Sequence, residues 1–272
     1  MPALAERLLH WLGKRYVVDY DDAIFHNYDL SGNPVLRRVL GRKIDTVMQQ
    51  AHYVVAGNEY LAARAMEAGV RGIVIIPTVV DHTRYEVRGT LKTGRLVIGW
   101  IGSPSTQQYV VGIRAALTEA CQTQGARLML VGSNLDVIAE LPGIDVEVVP
   151  WTEDNEAALI SQMDVGIMPL PDGPWEKGEC GYKLIQYMAC GVPVIASPVG
   201  VNVDIVTHSQ CGLLADTPAE WVGALRRLLG SAEQRHQLVT AGRQAVERTY
   251  CLAVQEKVLS GIFYSAINQD KP

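Results

Sequence analysis

The sequence has no surplus of positive charge. Its 272 residues carry 24 Lys and Arg against 29 Asp and Glu, a net charge of −5, which argues against a general nucleic-acid binder. It has no paired cysteine pattern. Cys121, Cys180, Cys190, Cys211 and Cys251 are odd in number, scattered, and without a C-x-x-C pair, so a disulfide frame or zinc knuckle is not expected and a reducing compartment is. No apolar run approaches the ~18 residues of a membrane span. Neither a Walker loop nor G-x-G-x-x-G is present, which removes the usual support for ATPase and NAD chemistry. The histidines at 10, 52, 82, 208 and 236 show no ligand spacing such as H-x3-H. No internal repeat and no low-complexity segment is found.

What is present is a chain that is 48% hydrophobic, enough for a packed core. Short runs rich in Val and Ile fall at 16–18, 53–56, 73–76, 96–101, 127–131, 146–149, 165–168, 192–196 and 212–215. Most are followed by helical spacing, as at 34–50, 59–68, 106–124, 153–161, 182–190 and 219–229, and two further helices are expected at 233–248 and 252–267. Near-continuous apolar strands alternating with helices predict a parallel sheet covered on both faces, a doubly wound α/β fold. The polar stretch EVRGTLKTGR (86–95) predicts a boundary, giving domains 1–90 and 91–250. The helix in 251–272 is expected to cross back to the first domain.

Charge is uneven along the chain. Residues 1–88 hold eleven basic and ten acidic residues, and the remainder thirteen and nineteen. The start, MPALAERLLHWLGKR, reads as an amphipathic helix rather than a signal peptide. Arg37, Arg38, Arg42 and Lys43 form a basic cluster, either a solvated helix face or a docking surface for an anionic acceptor or membrane. The expected location is cytoplasmic, with peripheral membrane contact.

Three stretches can converge on a ligand beyond the carboxyl ends of the strands. In VIGWIGSPSTQQ (97–108), Gly102 allows close backbone approach. Ser103 lies in the same loop, and Ser105 or Thr106 can cap a helix whose free N–H groups attract phosphate; an ordinary capped turn fits the same residues. In 169–202, Asp172, Trp175, Glu176, Lys177 and Glu179 occupy a polar, glycine-rich loop. A helix follows from about Gly181, through Tyr182, with Lys183 in its first turn. A cation there opposes the helix dipole, and a bound diphosphate would resolve the conflict. A snorkelling surface lysine is the alternative. Gln186, three residues on, shares that face. In VVPWTEDNE (148–156), Thr152 is expected to cap a helix, and Trp151 either stacks on a nucleobase or packs.

The segment KLIQYMACGVPVIASPVG, and MACGVPVI at 188–195 above all, resembles the signature of family 4 glycosyltransferases, E-x7-E followed by A-M-A-C-G-x-P-V-I. In register, Gly178 and Gln186 stand where that family has its two acidic residues, and Glu179 is one residue off the first. VVAGNEYLAARAMEAG (54–69) and VIIPTVVDHTRY (74–85) are similar to the end of the family's N-terminal domain and its link onward. The resemblance implies a GT-B-like fold with two Rossmann-like parallel-sheet domains, here with the N-terminal one incomplete. It implies a retaining, metal-independent transferase that needs no cofactor beyond its nucleotide-diphosphate-sugar donor, and whose departing phosphate takes the acceptor proton. Lys183 and Glu179 would be catalytic, with Glu179 on sugar hydroxyls. Gln186 would replace the ribose-binding glutamate, and Asp172 and Trp175 would shape the sugar pocket. The acceptor would be a sugar or a lipid-linked molecule.

Asp19-Tyr20-Asp21-Asp22 superficially matches the D-x-D metal motif of GT-A glycosyltransferases. Asp21 or Asp22 facing an interdomain cleft on the acceptor side fits the downstream signature better, with His26 beside an acceptor hydroxyl. The alternatives to transfer are a non-catalytic nucleotide-sugar-binding module, such as a remnant subunit of a split enzyme, and an epimerase of the same fold.

Overall fold

The computed structural model describes residues 3–85, 87 and 94–268; most of the boundary expected at 86–95 lies outside them. In chain order the helices and strands begin with α1 (Leu4–Trp11), β1 (Val17–Tyr20), α2 (His26–Asp29), α3 (Pro34–Leu40), α4 (Lys43–Gln50), β2 (Tyr53–Ala56), α5 (Glu59–Glu67) and β3 (Ile73–Ile75). A 3₁₀ turn, His82–Arg84, precedes β4 (Val97–Ile101), α6 (Gln107–Gly112), α7 (Arg114–Gln124), β5 (Arg127–Val131), α8 (Val137–Glu140), β6 (Val146–Val149), α9 (Glu156–Ile160) and β7 (Val165–Met168). The chain ends through α10 (Pro174–Lys177), α11 (Tyr182–Ala189), β8 (Val194–Ala196), α12 (Asn202–Ser209), β9 (Gly212–Leu214), α13 (Pro218–Gly230), α14 (Ala232–Arg248) and α15 (Leu252–Asn268).

The chain forms two compact units. The first holds the residues up to Thr78, then Asp172–Cys180, then the chain from Ala253 onward; the second holds Val79–Pro171 and Gly181–Leu252. The first unit has a three-stranded parallel sheet, β1-β2-β3. Its core gathers Phe25, Met48, Val54, Leu61 and Ala65. Asn58 starts α5, its side chain accepting from the Leu61 amide at 2.9 Å, and α3 starts on Asn33 followed by Pro34. The one helix expected over 34–50 is two, because the chain breaks at Gly41–Arg42.

The second unit is a six-stranded parallel sheet in the order β6-β5-β4-β7-β8-β9. Both faces are covered, as the near-continuous apolar strands require: one core holds Met129, Val131, Leu184 and Tyr187, the other Trp100, Leu117, Leu130 and Trp221. A capping box of Thr217 and Glu220, with Pro218 behind it, starts α13. The helix expected over 106–124 is likewise divided, at Ile113. Strands 4 to 6 run outward one way from β4 and strands 7 to 9 the other way, so β4 and β7 flank the reversal in strand order where such sheets bind ligands.

The segment 172–180 departs from the expected 91–250 domain, since it packs with the first unit. The Asn58 amide group donates to the Gly178 and Glu179 carbonyls at 3.1 Å each. Residues 174–177 are also a helical turn rather than plain loop. In the same unit the Arg15 guanidinium donates to the Ala266 carbonyl on α15 at 2.9 Å.

Candidate functional site

The carboxyl ends of β4, β5 and β6 frame a cavity of about 590 Å³, within the ~300–1,000 Å³ usual for ligand pockets. Gly102, Ser103 and Pro104 line it after β4, Gly132, Ser133 and Leu135 after β5, and Val148, Pro150 and Trp151 at and after β6. Gly102 is required by its own packing, since a Cβ there would lie 2.2 Å from the Trp100 ring. The expected cap after it does not form. Thr106 stands at the N-cap position of α6 without capping it, because its hydroxyl donates instead to the Ser103 carbonyl at 3.1 Å. The Ser103 and Ser105 hydroxyls pair at 2.7 Å. Gln107 fixes the neighbouring loop: its Oε1 accepts from the Ser133 hydroxyl and the Asn134 amide, each at 2.9 Å.

Trp151 is 49% exposed at the cavity. Its indole N–H donates to Glu156 Oε2 at 2.8 Å, and the Tyr85 hydroxyl donates to Glu156 Oε1 at 2.8 Å. The Thr152 hydroxyl accepts from the Asn155 amide at 3.2 Å, but regular helix starts only at Glu156.

Helix α11 begins on Gly181 in the left-handed conformation, φ +70°, which only glycine adopts without strain. Gly181 is buried, and a Cβ on it would meet Ile205 Cδ1 at 2.4 Å. No side chain caps the helix, leaving first-turn amides for another acceptor. Tyr182 is exposed and Lys183 half-buried, with Lys183 Nζ 5.7 Å from the Trp100 ring centroid. One indole thus touches both the start of α11 and the Gly102 loop. Gln186 is 2% exposed, and its Nε2 has no hydrogen-bond partner among the described residues. Deeper on α11, the buried Tyr187 hydroxyl accepts from the Ile101 amide at 3.0 Å and donates to the Ile167 carbonyl at 3.3 Å. It fills the gap where β4 and β7 diverge beyond their two paired residues.

The remaining expected site residues lie in the first unit. Gly178 is buried against Ala23, and a Cβ there would be 2.4 Å from the Ala23 Cβ. An acidic side chain at 178 has no room, whereas Glu179 beside it is half-buried. Asp172 is exposed and pairs with Lys177 at 3.1 Å, and Trp175 is half-buried on α10. Asp21 is exposed and Asp22 half-buried. Burial, then the Asp21 charge, raises the carboxyl pKa of Asp19. His26 is not free for an acceptor hydroxyl, because its Nδ1 sits 2.8 Å from Asp29 and its Nε2 2.8 Å from the Tyr60 hydroxyl. Among the described residues, no three or more His, Cys, Asp or Glu come together to hold a metal ion.

A family model described as glycosyl transferases group 1 matches residues 95–231, just over half of the chain. The chain belongs to that family. Among curated relatives, N-acetyl-alpha-D-glucosaminyl L-malate synthase of Bacillus anthracis is 26% identical over 155 residues, 54% of this chain and 39% of that protein. D-inositol 3-phosphate glycosyltransferase of Jonesia denitrificans is 35% identical over 86 residues, 28% of this chain and 20% of that protein. The chain therefore spans well under half the length of these relatives. Sucrose-phosphate synthase from Thermosynechococcus elongatus superposes with a TM-score of 0.76 at 19% identity, over 97% of this chain and 73% of that one. HepE of Anabaena, in complex with UDP and glucose, gives 0.75 at 16% identity, over 96% and 74%. These likenesses establish the GT-B-like fold of this glycosyl transferase group 1 chain.

Sequence reasoning missed Gly132, Ser133, Leu135, Tyr85, Glu156 and Tyr187 as parts of this region. A glycine closing the apolar run 127–131 was the available signal for the β5 loop. For Tyr85, Glu156 and Tyr187, no local pattern carries one.

Proposed function

We propose that this chain transfers a sugar from a nucleotide-diphosphate sugar to an acceptor hydroxyl with retention, and that its second unit holds the nucleotide. The observation that supports this best is the cavity beside Trp151, at the strand ends next to the reversal in strand order. The HepE complex, with UDP and glucose, has the same fold. Breaking the anomeric C–O bond puts negative charge on the diphosphate. The uncapped α11 amides, the Lys183 ammonium and the Ser103, Ser105 and Thr106 hydroxyls offer donors for that charge. Glu179 is assigned to sugar hydroxyls, with Asp172 and Trp175 in the sugar pocket and Asp21 and Asp22 on the acceptor side. Gln186 is assigned to the ribose. The departing phosphate takes the acceptor proton, so neither metal nor added base is required.

The test is calorimetric titration of UDP, ADP and GDP and their sugar conjugates into the chain. We expect Lys183→Ala to weaken the diphosphates about 10- to 100-fold, the worth of a charge-assisted contact, and to leave the nucleosides unaffected. Equal diphosphate affinity in the variant would remove the phosphate role.

A second reading is a non-catalytic nucleotide-sugar-binding module. It is favoured by Gly178 and Gln186, which leave both acidic positions of the family signature neutral. Acceptor-dependent release of free nucleoside diphosphate supports transfer, and binding without release supports the module.

We assign the chain to the cytoplasm and its first unit to an anionic membrane surface carrying a lipid-linked acceptor. Leu4, Leu8, Trp11 and Leu12 are exposed on and just after α1, among Arg7, Lys14 and Arg15, a composition suited to the interface. Among the described residues no helix is long and apolar enough to cross a membrane. Sedimentation with phosphatidylglycerol vesicles but not with phosphatidylcholine vesicles is the expected result. Sedimentation with neither removes the assignment.

A further inference from the structure

Trp151 is the one aromatic side chain among the residues lining the cavity. An exposed indole can take several rotamers, and a stacking wall works only if the ring is already set when the base arrives. Here the ring is tethered. Its N–H is engaged by a carboxylate that is itself nearly buried, at 9% exposure. The other oxygen of that carboxylate accepts from Tyr85, also buried. Tyr85 is fixed in turn, because the Arg243 guanidinium donates to its backbone carbonyl at 2.8 Å and to that of Ala189 at 2.7 Å. Trp151, Glu156, Tyr85 and Arg243 therefore form one hydrogen-bonded chain from the cavity wall to the end of α11. A carboxylate suits the middle of such a chain because both oxygens accept, so two donors are satisfied at once.

We infer that Glu156 is a positioning residue that holds the Trp151 indole as the stacking wall of a nucleobase subsite. The inference rests on the nucleotide reading of the cavity. Glu156 touches no ligand: it acts through the indole, and the phosphate end of the ligand lies outside its influence. That separates it from a general structural role, which would affect every ligand equally. With Gln at 156, one acceptor oxygen remains for the indole, and the Tyr85 hydroxyl can turn to accept from the new amide, so both tethers survive.

The experiment titrates UDP, ADP, GDP and inorganic pyrophosphate into the full chain, following tryptophan emission and calorimetric heat, with Trp151→Phe identifying the Trp151 signal. The expected result is that Glu156→Ala weakens nucleoside diphosphates at least tenfold and loses most of the Trp151 quenching, while pyrophosphate affinity stays within twofold. Glu156→Gln stays within threefold of the unaltered chain. In a Trp151→Ala background, Glu156→Ala adds no further loss. Unaltered nucleotide affinity in Glu156→Ala overturns the inference. So does a Glu156→Gln loss as large as that of alanine, which would make the carboxylate a direct ligand contact. If Glu156→Ala does not fold, Tyr85→Phe removes one tether and keeps the ring; at least a threefold loss is expected, and no loss overturns the inference. Unaltered nucleotide affinity in Trp151→Ala likewise overturns the inference. Failure of the nucleotide reading looks different: the unaltered chain binds none of the three nucleotides.

Discussion

The Tyr187 hydroxyl accepts from the Ile101 amide at 3.0 Å, and through it α11 stitches together the two strands that flank the reversal in strand order. Burial raises the Tyr187 pKa and keeps the hydroxyl protonated, so it can donate to the Ile167 carbonyl as well as accept. Tyr187→Phe strands both backbone groups in a dry interior. A loss of about 1–3 kcal/mol for each orphaned group is expected, read as a lower midpoint in urea denaturation.

Gly132 has φ +83°, and a Cβ on it would stand 2.3 Å from the Gly102 carbonyl oxygen. Gly143 has φ +79° but meets only Gln122 Nε2, at 3.8 Å. Gly143→Ala should therefore cost only the left-handed strain of about 1–2 kcal/mol. Gly132→Ala should cost more and also weaken nucleotide binding, because two cavity loops must part. Equal losses in thermal denaturation of the two variants would refute the clash.

Asn58 both starts α5 and holds the carbonyls of residues 178 and 179. Asn58→Ala should destabilise the chain by about 2–4 kcal/mol, the sum of a lost cap and stranded carbonyls. Limited proteolysis should then cut first within 172–180. Cleavage elsewhere, with 172–180 intact, would contradict the anchoring role.

All five cysteines are buried. Burial pushes Cys180, Cys190 and Cys211 up to about 12 and Cys121 up to about 11. At pH 8 these four thiols are held in the protonated, unreactive form. Reaction with a disulfide reagent at pH 8 should be slow for them in the native chain and immediate in denaturant. Because the folded-state pKa values are raised, their contribution to stability is complete below the unfolded thiol range. It declines as pH rises beyond about 9. Stability that rises between pH 9 and 10 would contradict this.

Restoring an acid at 186 should be harmful here. The Tyr85 hydroxyl, whose pKa burial raises, neighbours both Gln186 and the Glu156 carboxylate. Gln186→Glu would bring a second carboxylate to the same buried group, and one of the two must take up a proton. Its folded-state pKa is then raised, so the variant should approach the unaltered chain near pH 4 and fall behind as pH rises toward 8. A melting-temperature difference that is constant with pH would disprove the crowding.

The α/β alternation was legible because a strand buried on both faces must be apolar throughout; 53–56, 127–131, 146–149 and 165–168 were bounded to the residue. The helices expected over 34–50 and 106–124 were read too long. A break at Gly41–Arg42 or at Ile113 leaves the apolar spacing on either side intact. Gly102 and Trp151 were legible as cavity residues because each follows an apolar strand. Glu156 was not legible as part of the site, since its partners lie five and 71 residues away.

The sequence by itself determined the strand–helix alternation, the family signature ending in 188–195, and the loss of both signature acids. Each is a property of neighbouring residues. Only the tertiary structure decided why position 178 is glycine, that 172–180 packs against Asn58 in the first unit, and that His26 is engaged at both ring nitrogens. It alone joined Trp151, Glu156 and Tyr85 into one tether. The physical reason is range. Local sterics and hydrophobic period are written in consecutive residues, whereas hydrogen-bond satisfaction in a buried site depends on groups that only folding brings within 3 Å of each other.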